Sequence, residues 1–300
     1  MGIFPRFGDK SGHKSCSLDP THQIYGESDN KEPKKKEREL NLPHVSFSAI
    51  KDWKFCAYYH KLTRVDKIRV FEGNVFTAFG KAIHDTCESM LLSRELNKDN
   101  FDVDTFFKKA LLREFNELKE PVPQDKQTEF EEQGLKIIPE IIPALNEYFG
   151  DFSLVSSEEE LHEKLSYDTD DNFTFKGYVD CLIKTPDGKY HVIDWKSCSW
   201  GWDMRKRTDP MVTYQLTYYK HFISEKRGIP KEDIETHFAL LKRTGKKDRV
   251  ELFRVTSGEK KTNNALKLLE QSVYNIDRKN YIKNRLSCSR CDFKGTIHCP

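Results

Sequence analysis

The sequence has no run of eighteen apolar residues, so no segment reads as a membrane-spanning helix. Its opening, MGIFPRFGDK, holds no apolar stretch of signal-peptide length, and Arg6 stands where a myristoylation signal wants Ser or Thr. The expectation is a cytoplasmic chain with no membrane partner. There is almost no net charge: 50 Lys and Arg against 48 Asp and Glu leave +2, so local patches must decide what the surface binds. No G-x-x-x-x-G-K-[ST] occurs, which excludes an ATP site of the P-loop kind. No internal repeat is visible, and hydrophobic residues make up only 37% beside 33% charged.

What is present is aromatic. Twenty Phe, 12 Tyr and 4 Trp can fill a core in 300 residues, enough for one large domain or two small ones. Eight cysteines without an export signal belong in a reducing compartment, where spaced thiols read as metal or cluster ligands before disulfides.

Residues 1–43 are rich in Gly, Ser, Pro and charge and read as a disordered leader. Residues 44–160 read as a helical region. Ser46 or Ser48 caps a first helix through Ile50, Trp53 and Tyr58, and others are expected near 78–92, 102–118 and 127–149. Pro121, Pro123, Pro139 and Pro143 should limit or bend them. The period then changes. Strands are expected at 161–167, 173–184, 190–196, 234–242 and 250–255, with a helix at 209–227 between the third and fourth. The core is placed at 161–256, and 257–300 forms a last helix and a cysteine tail. The class is α/β (α+β): a mixed central sheet flanked by helices.

The most informative stretch is Gly177-Tyr178-Val179-Asp180, the turn Pro186-Asp187-Gly188, and Ile193-Asp194-Trp195-Lys196. A hairpin with its axis at Asp187 puts Asp180 directly opposite Asp194. Lys196, two residues on, shares the face of Asp194. Opposed aspartates repel, and strands disfavour them, so a merely stable sheet would avoid the arrangement. A divalent cation between them removes the conflict, and Mg²⁺ needs only one or two carboxylates besides water and phosphate oxygens.

These residues, followed by Gln215 and Tyr219 on a helix and preceded by Gly80-x-x-x-His84, resemble the PD-(D/E)xK nucleases, in particular the RecB/Cas4/AddB exonuclease branch. The resemblance runs from about residue 46 to the C-terminus. It implies that His84, Asp180 and Asp194 hold Mg²⁺ or Mn²⁺ together with the carbonyl of Trp195. It further implies that Lys196 positions or activates the water and that Gln215 and Tyr219 position DNA or the lysine. The family often adds a Glu from the first core strand. Glu158, Glu159, Glu160 and Glu163 compete for that role, and the strand-like setting favours Glu163. A bacterial or phage-host cell fits this branch.

Cys288-x-x-Cys291 and Cys299 close the chain, and Cys56 lies far upstream. Four thiols suit a [4Fe–4S] cluster or a structural Zn²⁺, and His298 could replace Cys299 in a zinc site. The resemblance favours the iron–sulfur cluster, because members of that branch place one cysteine before the helical region and three after the core. Cys16 is the rival ligand.

Basic residues cluster at Arg205-Lys206-Arg207, at Lys242, Arg243, Lys246, Lys247 and Arg249, and around the cysteine tail. With Trp195, Trp200 and Trp202 interleaved, they are expected to contact phosphates and stack on bases. The implied activity is a metal-dependent deoxyribonuclease, most simply an exonuclease on single strands or free ends. Its setting would be DNA repair, recombination or phage DNA processing, with a helicase or recombination partner supplying any translocation. Two alternatives stand beside it: a Cas4-like subunit of a larger complex, and a non-catalytic DNA-binding module on the same scaffold.

Overall fold

The computed structural model describes residues 42–69, 72–98, 100–169 and 172–300. The leader expected over 1–43 lies outside them except for its last two positions, as does Cys16.

In chain order the elements are β1 (His44–Val45), α1 (Phe47–Phe55), α2 (Ala57–His60) with a π-turn Lys61–Val65, α3 (Val75–Glu95), α4 (Val103–Asn116) and α5 (Gln124–Phe149). There follow β2 (Ser153–Lys164), β3 (Thr174–Lys184), β4 (Tyr190–Cys198), α6 (Met204–Thr208), α7 (Pro210–Arg227), β5 (Ile234–Lys242), β6 (Val250–Arg254) and α8 (Glu259–Asp277). The mixed α/β class expected from the sequence is the class observed. None of the described helices is long and apolar enough to cross a membrane.

Local chemistry sets the ends that matter. Asn74 caps α3, taking the N–H groups of Phe76 and Thr77 while the Thr77 hydroxyl returns to the Asn74 N–H, so two orphan donors are satisfied reciprocally. Asp209 caps α7 ahead of Pro210 at the first helical position, and Gly228 closes it in the left-handed region at φ 65°. Gly188 completes the β3–β4 turn at φ 88°, with its N–H on the Thr185 carbonyl.

β2 runs antiparallel along the whole of β3, from Ser153 opposite Lys184 to Lys164 opposite Thr174. It fills one edge of β3, so β4 and β1 share the other: β4 pairs antiparallel over residues 181–184 and β1 pairs parallel at 174–175. Residues 176–180 of β3 border the gap between them. β5 then pairs parallel with β4, and β6 antiparallel with β5.

Two layers cover this sheet. Val192, Phe238 and Leu240 face α7 and α8 in one core cluster, with Phe175 stacked on Phe222 at 4.4 Å. Ile193, Trp195, Ala239 and Leu241 face α3, α4 and α5 in the other. Each large side chain sealed in this way contributes roughly 1.5–3 kcal/mol.

Two expectations change. The first core strand starts at Ser153 and ends at Lys164, not at 161–167, because a Glu-rich segment takes the strand through ion pairs: Glu159 with Lys226 and Arg227, Glu160 with Lys176. Pro139 and Pro143 lie inside α5, which continues through both for 26 residues while its apolar stripe, Phe130, Ile137, Ile138, Ile141 and Leu145, stays buried. Packing of that stripe outweighs the lost helical hydrogen bonds.

Candidate active site

The β3–β4 hairpin has the register its turn predicts. Lys184 pairs with Tyr190, Ile183 with His191, Leu182 with Val192 and Cys181 with Ile193. The next pair would be Asp180 and Asp194, and there the ladder opens. The Asp180 carboxylate instead accepts the Trp195 N–H at 2.9 Å, so a side chain replaces a strand carbonyl where the backbones part.

Around that fork four elements deliver polar side chains. From α3, His84 Nδ1 lies 3.8 Å from Asp180 Oδ2. The helix comes this close because of Gly80, one turn earlier: a Cβ there would stand 3.1 Å from the Ser197 hydroxyl of β4. From β4, Lys196 Nζ is 2.5 Å from Asp194 Oδ2. Asp194 is 0% exposed; its Oδ2 is held by the Lys196 ammonium, while its Oδ1 has no hydrogen-bond partner. From α7, the Gln215 amide donates to the Tyr219 hydroxyl at 3.0 Å, and the Tyr219 ring lies over Gly177, where a Cβ would come within 3.0 Å of it.

The fourth element is β2. Between the pairs Ser157–Cys181 and Glu159–Val179, Glu158 stands opposite Asp180. Its backbone is left-handed at φ 48°, an unusual state for a glutamate and one that signals a constrained position. Asp180, Glu88, Asp85 and Asp194 are the charges that act on it. Glu163, favoured by sequence, pairs opposite Phe175 instead. Five residues of strand place it about 16 Å from Glu158, so it is not part of the cluster. The bulge between Leu154 and Ser156, which fixes which glutamate meets Asp180, leaves no mark in the residue pattern. Asp85 and Glu88, on the same helix as His84, were also not singled out by sequence; their spacing of one and four residues from His84 was the available signal.

The electrostatics follow from burial of like charges. Burial pushes Asp194 up to about 6, with Asp180 adding to the rise and Lys196 opposing it. Asp180 is raised by burial against the pull of Lys196 and the Trp195 N–H. Glu158 is raised to about 7, first by burial and then by its four acidic neighbours. Burial works against the Lys196 ammonium, but Asp194 and Asp180 outweigh it and its pKa is raised. His84 is held down to about 4 by burial and by Lys196, so its imidazole is neutral and offers a lone pair.

A divalent cation fits this donor set. Carboxylates that repel and a buried oxygen without a hydrogen bond are what such an ion relieves. The ligand atoms of His84, Asp180 and Asp194 do not all lie within 4.8 Å of one another, and Lys196 occupies the flank of Asp194.

A cleft of about 590 Å³ lies at the end of β4, lined by Phe76, Ser197, Trp200, Trp202, Lys206 and Arg243 among others. Trp200 is 74% exposed in it, whereas the Trp195 side chain is sealed in the core and cannot stack on bases. Trp202 is half-buried against Phe238, and Lys206 lies 4.3 Å over its ring. Arg205, Lys246 and Lys247 are exposed. Arg207 and Lys242 are instead tied to Glu251, Arg249 to Glu140, and Arg243 is buried against Phe76 and Phe130. Part of the expected basic surface is therefore internal structure.

The cysteines of the tail meet Cys56 in a second cavity of about 590 Å³, lined by Cys56, Cys288, Cys291 and Cys299. All are free thiols. The tail docks on the first helices through Asn284, whose N–H points at Cys56 Sγ (3.3 Å) and whose amide donates to the Phe55 carbonyl, and through Tyr58 on the His298 carbonyl.

The sequence model of the PD-(D/E)XK nuclease superfamily matches residues 44–296. No protein of curated function matches the sequence. Among solved structures, a "Putative exonuclease" from Eubacterium rectale is similar in fold, with a TM-score of 0.53 at 15% identity over 88% of this chain and 92% of that one. The crystal structure of SSO0001 aligns over 82% of this chain and 93% of that one at 14% identity, with a TM-score of 0.34.

Proposed function

The chain belongs to the PD-(D/E)XK nuclease superfamily, and from that premise we propose a Mg²⁺- or Mn²⁺-dependent deoxyribonuclease that digests single strands or free ends as an exonuclease. One observation carries this reading: Asp194, fully buried with its Oδ1 lacking any hydrogen bond, stands beside Asp180 with the Lys196 ammonium on its Oδ2. Asp180, Asp194, His84 and the Trp195 carbonyl would hold the ion, with Glu158 in place of Glu163. The bound ion supplies charge neutralisation at the phosphate and a water of lowered pKa. Lys196 orients that water and offsets negative charge as it develops on the phosphate. Tyr219, fixed by Gln215, closes the α7 side of the site. Trp200, Lys206, Arg205, Lys246 and Lys247 receive the strand.

The test is cleavage of end-labelled single-stranded DNA by purified protein across a Mg²⁺ and Mn²⁺ titration. Asp194→Ala and Lys196→Ala are each expected to lower the rate by at least about a thousandfold. Undiminished cleavage in both would remove the assignment. DNA binding without cleavage in any divalent metal would instead favour the non-catalytic module, and cleavage only within a larger complex the Cas4-like subunit.

The cysteine cavity supports a [4Fe–4S] cluster over zinc. Four thiolates around Zn²⁺ at 2.3 Å stand about 3.8 Å apart. No three of these sulfurs lie within 4.8 Å of one another. All four line one cavity of about 590 Å³. Protein isolated without air should be brown and contain iron and sulfide. Colourless protein with one zinc would reverse the choice.

A further inference from the structure

A second constellation lies on the opposite face of the sheet. His191 of β4 pairs in register with Glu235 of β5, and His237 follows two residues later on the same face. His191 and Asp194 are three residues apart, so their side chains point to opposite faces, about 10 Å apart along the strand. The site therefore shares no residue with the nuclease centre and owes nothing to the nuclease reading. Among the described residues this is the one group of three or more His, Cys, Asp or Glu side chains whose ligand atoms converge within 4.8 Å.

The distances are specific. His237 Nε2–H donates to His191 Nδ1 at 3.1 Å, a proton that a bound ion replaces, and each nitrogen is 3.8 Å from Glu235 Oε2. The point in the plane of these three atoms that is equidistant from them lies about 2.1 Å from each, the bond length of zinc to imidazole nitrogen and carboxylate oxygen, and a small closing of Glu235 toward the two nitrogens lifts the ion out of that plane. The surroundings orient the donors. The Asp187 carboxylate can only accept, so it takes the Thr185 hydroxyl proton at 2.5 Å. The Thr185 oxygen then accepts from His191 Nε2–H at 3.0 Å, and the inward Nδ1 is left with its lone pair. Glu235 is held by Arg254 through Oε1 at 2.9 Å, which frees Oε2 for the cluster. His237 is sealed at 1% exposure, edge-on to Tyr148 and Phe149, and its Nδ1 has no hydrogen-bond partner.

We propose that His191, Glu235 and His237 form a binding site for Zn²⁺ or a similar borderline divalent ion, with a water completing the tetrahedron on the Glu235 side. Two nitrogens and one carboxylate suit zinc better than Mg²⁺, which prefers an octahedron of oxygens. The ion would pin β4, β5 and the turn at Thr185–Lys189 beneath the end of α5.

The test uses the full chain, stripped by chelator and titrated with Zn²⁺ in equilibrium dialysis with elemental analysis. Glu235→Gln and His237→Gln are compared with the parent after far-UV circular dichroism has shown the fold intact. Each should bind one zinc fewer. Thr185→Val leaves all three ligands in place and should weaken that zinc about 10–100-fold. Cys288→Ser and Asp194→Asn, which alter the other two candidate metal sites, should retain it. Co²⁺ in the parent should give the visible bands of a four-coordinate ion, absent in Glu235→Gln. Equal zinc in the parent and in both Glu235→Gln and His237→Gln would overturn the site, whatever the nuclease assay shows. Should His237→Gln fail to fold, the half-exposed Glu235→Gln and the conservative Thr185→Val decide alone.

Discussion

At Asp194 a carboxylate has no exposed surface, one oxygen against an ammonium, the other without a hydrogen bond, and a second carboxylate nearby. Its raised pKa, about 6 against the ordinary 3.8, means that keeping it ionised costs metal-free protein on the order of 2–3 kcal/mol. Asp194→Asn is therefore expected to raise the metal-free melting temperature at pH 8 while abolishing cleavage and the stabilisation that Mg²⁺ gives the parent. Calorimetry with and without Mg²⁺ checks both. Glu158 makes the companion case. Its folded pKa, about 7, lies above the ordinary 4.5, so native protein holds the proton more tightly than unfolded protein between those values. Stability then falls as pH rises through that window. Glu158→Gln should flatten this slope relative to the parent in a series of denaturant melts, and an unchanged slope would place the proton elsewhere. Gly177 supplies a residue-scale steric test. Gly177→Ala brings a methyl to 3.0 Å from the Tyr219 ring, so the ring must move and cleavage should drop with little change in melting temperature.

Among elements, α5 shows propensity and packing in conflict. An Ala at Gly134 should favour the helix by up to about 1 kcal/mol. Its Cβ, however, would stand 2.1 Å from the Phe107 ring of α4. Overpacking of that kind costs about 1–3 kcal/mol, so Gly134→Ala should destabilise the chain, measurable as a lower urea midpoint at constant slope. The same rivalry explains which elements were legible. α3, α4, α7, α8 and β3 through β6 carry clean periods and caps. Only the end of β2 reads as strand and its first residues fall in the expected helical region, because its glutamates are matched by Lys176, Lys226 and Arg227, partners 16 to 68 residues distant. Glu159→Ala leaves Lys226 and Arg227 without their buried partner; both are about one-third exposed, so water recovers part of the loss and about 1–2 kcal/mol is expected from a thermal melt.

Across the whole molecule, the cysteine cavity ties residue 56 to the chain end and so closes almost all of the described chain into one loop. Cys288→Ser should lower the melting temperature and loosen α1, seen as faster amide exchange at Phe55 and Cys56, while leaving the hairpin of Asp180 and Asp194 in place. The hairpin itself was readable because it is local: a Pro-Asp-Gly turn and a period of two fix which residues face each other within 17 positions. His84, Gln215 and Tyr219 could be named from spacing, but their approach to the fork depends on Gly80 against Ser197 and Gly177 under Tyr219, contacts that span 42 to 117 positions. The sequence alone determined the register of the β3–β4 hairpin and the acid–acid–lysine set, since both rest on short-range geometry and on residue type. Tertiary structure decided that Glu158 and not Glu163 meets Asp180, that Trp195 is core, and that His191, Glu235 and His237 converge. Each of those depends on a bulge, a sealed face or a parallel pairing, and long-range packing sets all three without a local trace in the chain.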